Sequence, residues 1–470
     1  MAIDTIIRGG TIVRASGREN AAIGIDDGEI VGVGRPDRLP DAHETIDASG
    51  LHVLPGLINC HVHYREPGPT HKEDFTSGSK ASAAGGYTMF MDMPNCDPVT
   101  NTLERYEEKV ALADRKAVID HNSWGGATDP DAVEEIYRNA GNLGFKIFMH
   151  RHPEVEFPYV PELAVHDRGD LYRLFRRFVE LNPSMPVSLH PSDVSLADEL
   201  YEDLVEMGAN DYAAIREGKD GMNMTLGAFE AAFLARITGL TNLNLLHLGF
   251  NERTEDPYLE FDERETTVDL VDRLKTDGWE FYGELEASTA LARERDAEVD
   301  WKQRWYTPDN EKLWAALREG IADMAVIEHA PHLEEEADAE NAWDANSGLL
   351  GSQEFLPLML TAVNEGKLSL ERLVEVTART PAEFLGILPD KGAIRTGTDA
   401  DLTIVDLDAE WTIDGEETFS KAGWSSFDGY EVTGAVDRTI VRGETVYANG
   451  DIHVEPGFGE YVHRDEYQSY

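Results

Sequence analysis

Eight short apolar segments, each ending in polar residues, alternate with helical stretches through the middle of the chain. They are GLINCHVH, YTMFMDMPN, AVIDHN, FKIFMH, VSLH, NLNLLH, WEFYGELE and MAVIEHAPH. Alternation of strand and helix favours a parallel sheet whose strands are joined by helical crossovers. Eight such strands predict an α/β fold with a TIM-type (β/α)8 barrel, whose reactive groups lie at the carboxyl ends of the strands.

The competing arrangement is an open, doubly wound sheet, but no GxGxxG sequence opens a helix after a strand. The ends of the chain differ from its middle. Residues 3–54 and the stretch from about residue 394 alternate short apolar runs with Asp-Gly and similar turns. This pattern predicts hairpins at both ends of the chain.

The charge balance restricts the partners. Among 470 residues, 41 are basic and 90 are acidic, which gives a net charge of −49. Such a field repels nucleic acid and anionic membranes, and it is typical of a solvated surface in a high-salt cytosol. The sequence shows no leader peptide and no apolar run of the roughly 18 residues that a membrane span needs. We therefore expect a cytoplasmic, halophilic protein that binds neither nucleic acid nor membrane.

Four histidines stand at the ends of predicted strands. His61 and His63 are two residues apart on one strand, so their side chains point to the same face. Such a pair alone is equally typical of a structural role. His190 and His247 close two further apolar strands, and strand ends of a barrel meet at one edge. Together the four imidazoles predict a metal site.

Two charged residues interrupt or end apolar strands. Lys146 lies inside FKIFMH, where a buried ammonium is costly unless it is paired. It is either a snorkelling or ion-paired lysine, or an amine capped by carbon dioxide, and the resulting carbamate could bridge two metals. Glu328 ends the eighth strand, in MAVIEHAPH. It is a candidate metal ligand or general base, or simply one more acid in an acidic chain.

The motifs HVHYREPG, HKEDFTSGSKASAAGGYT, DMPN and HAPH resemble those of the amidohydrolase superfamily, specifically the dihydroorotase branch of its cyclic amidohydrolases. FKIFM is instead similar to the hydantoinase, allantoinase and dihydropyrimidinase branch. GTDADLTIVD is similar to the stretch that completes the family's small β-sandwich from both termini. The resemblance implies a sandwich from residues 1–54 and 394–470 around a barrel of residues 55–393.

The resemblance also implies the roles of single residues. His61 and His63 would hold a first metal, His190 and His247 a second, and carboxylated Lys146 would bridge them. Zn²⁺ is the default ion, with Mn²⁺ or Co²⁺ as alternatives. Glu328 would be both a metal ligand and the catalytic group that moves a proton from the attacking water to the leaving nitrogen. Substrate would be held by Arg65, Asn95 and His332.

Arg65 indicates which kind of substrate the site could bind. It lies two residues beyond His63, and its planar fork suits a carboxylate. Dihydroorotate carries such a carboxylate, whereas hydantoins and allantoin do not. A structural arginine paired with one of the many acids is the alternative.

Three positions depart from the family pattern. Asn59 replaces an aspartate before the histidine pair, and Glu328 replaces another. Strand seven carries Glu284 and Glu286, which oppose an anionic substrate or recognise a cationic or amine-bearing ring. Alternatively, one points to solvent and the other pairs with a cation.

These observations predict a binuclear metal-dependent hydrolase of a cyclic amide C–N bond. The main hypothesis is a dihydroorotase of pyrimidine biosynthesis, which interconverts N-carbamoyl-L-aspartate and dihydroorotate. The alternatives are a hydantoinase-like, allantoinase-like or unassigned cyclic amidohydrolase and, from another class, a non-catalytic scaffold. The partner is a small cyclic amide, and the resemblance implies a homodimer or homotetramer.

Overall fold

The computed structural model describes residues 2–150, 160–250, 265–293, 296, 302, 306, 310–337, 341–346 and 348–464. The first part of the chain is built from short strands separated by turns. These strands are β1 (Ile3–Arg8), β2 (Thr11–Arg14), β3 (Gly17–Asn20), β4 (Ala22–Asp26), β5 (Glu29–Gly34), β6 (Ala42–Asp47) and β7 (His52–Pro55).

The predicted barrel is confirmed, and each of the eight predicted segments overlaps one of its strands. Strand β10 and the two-residue β11 together occupy the third position. The barrel strands are β8 (Leu57–Val62), β9 (Tyr87–Asp92), β10 (Asp120–Ser123), β11 (Gly125–Gly126), β12 (Phe145–Phe148), β13 (Val187–His190), β14 (Leu243–Leu248), β15 (Tyr282–Glu286) and β16 (Met324–Val326). The hydrogen-bonded pairs of these strands in the described structure are parallel.

Helices alternate with the barrel strands along the chain and continue after the last of them. They are α1 (Phe75–Ala84), α2 (Leu103–Lys116), α3 (Pro130–Asn139), α4 (Arg168–Leu181), α5 (Val194–Glu206), α6 (Tyr212–Asp220), α7 (Met222–Thr238), α8 (Thr267–Thr276), α9 (Ala287–Leu291), α10 (Glu311–Glu319), α11 (Glu334–Ala337), α12 (Phe355–Asn364), α13 (Leu370–Val374) and α14 (Thr380–Leu385). A π-helix, Glu375–Arg379, joins the last two. In the described residues no helix is both long and apolar enough to cross a membrane.

Local sequence explains why several of these helices begin where they do. Helices α1, α2 and α3 each follow a polar residue whose side chain accepts hydrogen bonds from backbone N–H groups of the first turn. These residues are Asp74, Thr102 and Asp129. Such caps satisfy donors that the helix itself leaves unpaired, and each is worth about 1 kcal/mol.

The last strands return to the strands of the first part. Strands β17 (Leu402–Thr412), β18 (Glu431–Val441), β19 (Glu444–Ala448) and β20 (Asp451–Ile452) join β7, β2 and β3 in one seven-stranded sheet. A second sheet has the order β5-β4-β1-β6. Isoleucines from both ends of the chain, including Ile12, Ile23 and Ile404, are buried in one cluster. The predicted β-sandwich is thus confirmed, and we propose its division from the barrel near residues 54 and 394.

Closure of the barrel brings the first and last strands together. Val62 forms a parallel bridge with His329, and the His63 N–H donates to the His329 carbonyl over 2.8 Å. Strands β8, β9 and β14 are buried along their whole length, as expected of a parallel sheet covered on both faces. His63 and Glu328 therefore stand side by side at the carboxyl edge.

Candidate active site

The four predicted histidines meet at the carboxyl end of the barrel. The ring centroids of His61 and His63 are 5.4 Å apart, and those of His61 and His247 are 5.2 Å apart. His190 lies 4.2 Å from His247 by the same measure. Three different strands thus contribute imidazoles to one cluster.

Glu328 reaches this cluster from the segment after β16. Its Oε1 lies 3.7 Å from His61 Nε2 and 3.5 Å from His63 Nε2, and its Oε2 lies 3.4 Å from His247 Nδ1. His61, His247 and Glu328 offer ligand atoms that all lie within 4.8 Å of one another. The glutamate therefore lies within 4 Å of three of the predicted histidines.

Lys146 is buried beside the same cluster, with 1% of its surface exposed. Its Nζ has no hydrogen-bond partner among the described residues and lies 4.6 Å from the centroid of the Phe148 ring. Burial lowers the pKa of this amine from 10.5 to about 7, although Glu284 and Glu328 act in the opposite direction. Among the described residues Lys146 has no ion pair, so the ion-paired lysine considered from the sequence is not found in this part of the chain.

The donor atoms fit a divalent metal. His63 Nε2 and both ring nitrogens of His247 are buried without a hydrogen-bond partner in the described part of the chain. Burial is the main cause that holds the pKa of each of these histidines well below its usual value, assisted by Arg65 at His63 and by His190 at His247. Neutral imidazoles with free lone pairs are the form that binds metal.

Two neighbouring side chains orient the histidine pair. His61 Nδ1 donates to Glu284 Oε1 over 2.7 Å, and His63 Nδ1 donates to Asn95 Oδ1 over 2.7 Å. Each bond fixes the tautomer and turns Nε2 toward the centre of the cluster. Asn95, predicted to bind substrate, thus lies in the site and supports His63.

We expect Glu284→Gln to weaken metal binding by about 10–100-fold, because the carboxylate beside His61 loses its charge. Glu284 also accepts from Asn244 Nδ2 over 3.0 Å, a bond that an amide at residue 284 would disturb. Zinc retention against a competing chelator measures the effect. The control is Glu280→Gln, an exposed acid just before β15. Equal zinc retention by the two variants would contradict this role of Glu284.

The environment of Asn59 accounts for one departure from the family pattern. Its Oδ1 accepts from the His61 backbone N–H over 3.2 Å, and its Nδ2 donates to Ser352 Oγ over 3.3 Å. Asn59 therefore supports the backbone of His61, while the negative charge beside that imidazole comes from Glu284 on β15, two strands away around the barrel.

The two acids of strand seven are both buried, each 1% exposed. The interpretation that one points to solvent while the other pairs with a cation is wrong. Glu284 bonds to His61, and Glu286 faces the same side of β15 one layer nearer the carboxyl end. Glu286 accepts from the Ser288 N–H over 3.2 Å, and burial together with Glu328 raises its pKa well above the usual value.

Arg65 and His332 lie together beside the cluster. Arg65 Nη2 donates to His332 Nε2 over 3.1 Å, and Arg65 Nε donates to the Pro331 carbonyl over 3.0 Å. Lys72 Nζ lies 3.1 Å from His332 Nδ1 and 2.8 Å from Glu336 Oε1. Burial and the Arg65 charge lower the pKa of His332 to about 3, so this imidazole is neutral at any physiological pH.

Three of the site residues adopt a left-handed backbone. The φ angles are 60° at Arg65, 63° at His247 and 38° at Glu328. Residues with a Cβ rarely adopt this conformation, which costs about 1–3 kcal/mol at each position. Such strain persists where the surrounding structure imposes it, and here it coincides with predicted functional residues.

The burial of Lys146 predicts a pH-dependent stability in metal-free protein. Between pH 7 and pH 10 the unfolded chain keeps a proton on this amine that the folded chain has lost. The free energy of unfolding should therefore rise with pH, by at most about 1.4 kcal/mol per unit. Urea unfolding of chelator-treated protein in bicarbonate-free buffer measures this slope. Lys146→Met should lack this contribution, and parallel pH profiles for the two proteins would contradict it.

Sequence reasoning gave no role to two contacts that support the site. Lys72 borders His332, and Glu73 Oε2 accepts from His329 Nε2 over 3.2 Å. Both residues belong to the segment HKED, residues 71–74, which precedes α1. In the sequence they are simply two charged residues just before a helix. Only the fold shows that they are buried, with Lys72 5% and Glu73 0% exposed.

Comparison with known proteins gives a consistent result. Residues 52–143 and 266–446 match the amidohydrolase family. The sequence is 31% identical to an L-hydantoinase of Paenarthrobacter aurescens over 99% of both chains. It is 32% identical to an allantoinase of Rubrobacter xylanophilus over 98% of both. It is 30% identical to a dihydroorotase of Methanothermobacter thermautotrophicus, over 94% of this chain and 93% of that one.

Solved structures agree with the sequence comparison. The L-hydantoinase (dihydropyrimidinase) from Arthrobacter aurescens superposes with a TM-score of 0.88 at 30% identity, over 98% of this chain and 100% of that one. A D-hydantoinase gives a TM-score of 0.85 at 26% identity, over 98% and 99%. The predicted superfamily is confirmed, and dihydroorotase is one of several activities among these relatives.

Proposed function

This chain belongs to the amidohydrolase family, and on that premise we propose that it hydrolyses the amide bond of a cyclic ureide of the hydantoin or allantoin kind. A cyclic amidohydrolase of the hydantoinase, dihydroorotase and allantoinase group follows from the comparisons. The observation that carries the chemistry is the convergence of four histidines, Glu328 and a buried lysine without a hydrogen-bond partner in the described structure.

The choice of ring rests on charge. Glu284 and Glu286 are buried at the carboxyl end of strand β15, near Glu328. The carboxyl groups of Glu284 and Glu328 near the reacting centre disfavour a substrate that carries its own carboxylate, whereas the raised pKa of Glu286 favours its neutral form and reduces its share of this repulsion. Hydantoin and allantoin rings lack that group. The L-hydantoinase relative supports the same choice.

We propose that two divalent ions occupy the cluster, one held by His61 and His63 and the other by His190 and His247. A carbamate on Lys146 would bridge them, and Glu328 would complete the ligand set. Zn²⁺ suits imidazole and oxygen ligands, and Mn²⁺ or Co²⁺ are alternatives. Such ions supply Lewis acidity and make a water molecule more acidic.

Lys146 is suited to carbamate formation because only a neutral amine attacks carbon dioxide. The new bond joins Nζ to the carbon of carbon dioxide, and the nitrogen releases one proton to solvent. Burial provides the neutral amine near pH 7. The carbamate carries a negative charge that the surrounding metal ions would balance.

Glu328 is the residue placed to move a proton. Its side chain is 22% exposed, unlike the almost fully buried His61 and His247, so it borders both the cluster and the open end of the barrel. A carboxylate there can take a proton from the attacking water and deliver it to the leaving ring nitrogen. Arg65, Asn95 and His332 would then hold the polar edge of the ring.

Dihydroorotate hydrolysis in pyrimidine biosynthesis is the second candidate. Arg65, Lys72 and His332 favour it, because two cations beside a neutral imidazole suit a carboxylate. The decision between the rings depends on whether this attraction exceeds the repulsion from the buried acids.

The test compares ring opening of a 5-substituted hydantoin, allantoin and dihydroorotate by the zinc- and bicarbonate-supplied protein in high salt. We expect kcat/KM for a hydantoin or allantoin to exceed that for dihydroorotate at least about tenfold, the ratio given by 1.4 kcal/mol of differential transition-state binding. A preference for dihydroorotate that is lost in Arg65→Gln would establish the second candidate. Absence of turnover on all three rings, with metal bound, would refute the proposal.

We also propose where the enzyme acts and in which oligomeric state. The excess of 90 acidic over 41 basic residues supports a cytoplasm rich in salt, where screening shortens the Debye length to about 3 Å at 1 M. We further propose a dimer or tetramer acting on a small molecule, without nucleic acid or membrane as a partner.

A further inference from the structure

A concave site of about 390 Å³ lies at the amino-terminal side of the barrel, away from the metal cluster. It is formed where the turn after β2 meets the end of β7 and the segment that follows α14. Pro55 lines it and precedes β8, whereas His61 lies near the carboxyl end of that strand. At about 3.3 Å per residue, the two positions are separated by roughly 20 Å.

The charge of this concavity is opposite to that of the chain. Three arginines line it, Arg14, Arg379 and Arg395, and no carboxylate does. The chain as a whole has more than two acidic residues for each basic one. A second concavity of the described structure, near His43 and His453, follows the general composition and includes acidic lining residues.

Two of the arginines could pair with an added anion. Arg379 and Arg395 are exposed, and within the described structure neither has a carboxylate within ion-pair distance. Asp390 interacts with Arg395 through space only. Arg14 is held in place, since its Nε donates to the Ile394 carbonyl over 2.9 Å and its guanidinium pairs with Glu19.

Apart from Ser16, the rest of the lining has no polar side chain. Pro55, Leu388 and Ile394 contribute hydrocarbon surface beneath the arginines, and Leu388 is followed by Pro389. Guanidinium groups recognise carboxylate and phosphate oxygens through their planar fork. Cavities of about 300–1,000 Å³ with mostly apolar walls and a few polar groups are typical of small-molecule sites.

We propose that this concavity is a second ligand site, which binds a small organic anion. Its carboxylate or phosphate would bond to Arg379 and Arg395, and its apolar body would rest on Pro55, Leu388 and Ile394. The site does not depend on the proposed hydrolysis, because none of its lining residues belongs to the metal cluster.

The test is calorimetric titration of the full-length, metal-loaded protein with phenyl phosphate and with benzoate, at the lowest salt that keeps it folded. Arg379→Gln/Arg395→Gln should weaken binding at least about tenfold. The matched control is Arg38→Gln/Arg115→Gln, which removes the same charge from exposed positions outside the concavity and should bind as wild type does. Ala15→Trp, which fills the concavity from the β2–β3 turn, should also abolish binding.

Two further measurements separate this site from the metal cluster and from simple charge attraction. Binding should persist in Lys146→Met, whose metal cluster is disrupted. Inorganic phosphate should bind more weakly than phenyl phosphate, because it leaves the apolar surface uncovered. The proposal is overturned if neither probe binds saturably up to about 10 mM, if the double arginine variant binds unchanged, or if Lys146→Met no longer binds.

Discussion

Replacing Lys146 by methionine should abolish hydrolysis while making the metal-free protein more stable. If Lys146 carries the proposed carbamate, methionine removes the ligand that both proposed ions would share, and we expect kcat/KM to fall by at least about 10³-fold. Methionine has a similar length and no charge, so the barrel keeps its packing. Removing a buried amine without a hydrogen-bond partner in the described structure should raise the free energy of unfolding at pH 7 by a few kcal/mol.

The opposite signs of these two effects make the experiment informative. Activity, zinc content and urea unfolding are measured on the same preparations of wild type and Lys146→Met. Lys275→Met is the control, because Lys275 is paired with Asp323 away from the cluster. Its replacement should leave zinc content and activity unchanged. Full zinc retention by Lys146→Met would contradict the bridging role, even if activity were lost.

Replacing Glu328 by glutamine should lower kcat by about 10²–10⁴-fold, the usual contribution of a general acid–base group. Glutamine keeps the shape of the side chain and cannot carry the proton from water to the leaving nitrogen. Glu328→Asp keeps the carboxylate but withdraws it by about one bond length, and such a displacement costs about 10²-fold. We therefore expect the order of kcat to be wild type, then Asp, then Gln.

Metal content must be measured beside these rates, because Glu328 also lies within 4 Å of three histidines. Comparison at equal zinc occupancy separates proton transfer from metal loss. Glu334→Gln, an exposed acid of α11, controls for the change in net charge. A Glu328→Gln enzyme that keeps most of its kcat at full occupancy would exclude Glu328 as the proton carrier.

The barrel was largely predictable from sequence, because its pattern is local. Strands such as β9 and β14 are apolar over their whole length and buried over their whole length. Spacing of two residues likewise placed His61 and His63 on one face of β8. The terminal hairpins followed from turn residues, but the joining of β7 to β17 across the chain came only from resemblance.

The roles of several charged residues could not be predicted in this way. From the sequence, Glu284 and Glu286 could both act on the substrate, or one could point to solvent while the other paired with a cation. Both side chains are buried, which excludes the second interpretation. Lys72 had no assigned role until the structure placed it beside His332. The choice between ring substrates also depends on such neighbours, so a motif that includes Arg65 was insufficient to settle it.

The sequence by itself determined which segments become strands, which residues stand at their carboxyl ends, and the family to which the chain belongs. The strands and their ends depend on neighbours a few positions apart, through side-chain alternation and turn chemistry, whereas the family came from the resemblance of whole motifs. Only the tertiary structure decided that Glu284 supports His61, 223 positions earlier, and that Lys146 is buried without an ion pair among the described residues. Closing eight strands into a barrel sets those distances, and no local pattern encodes them.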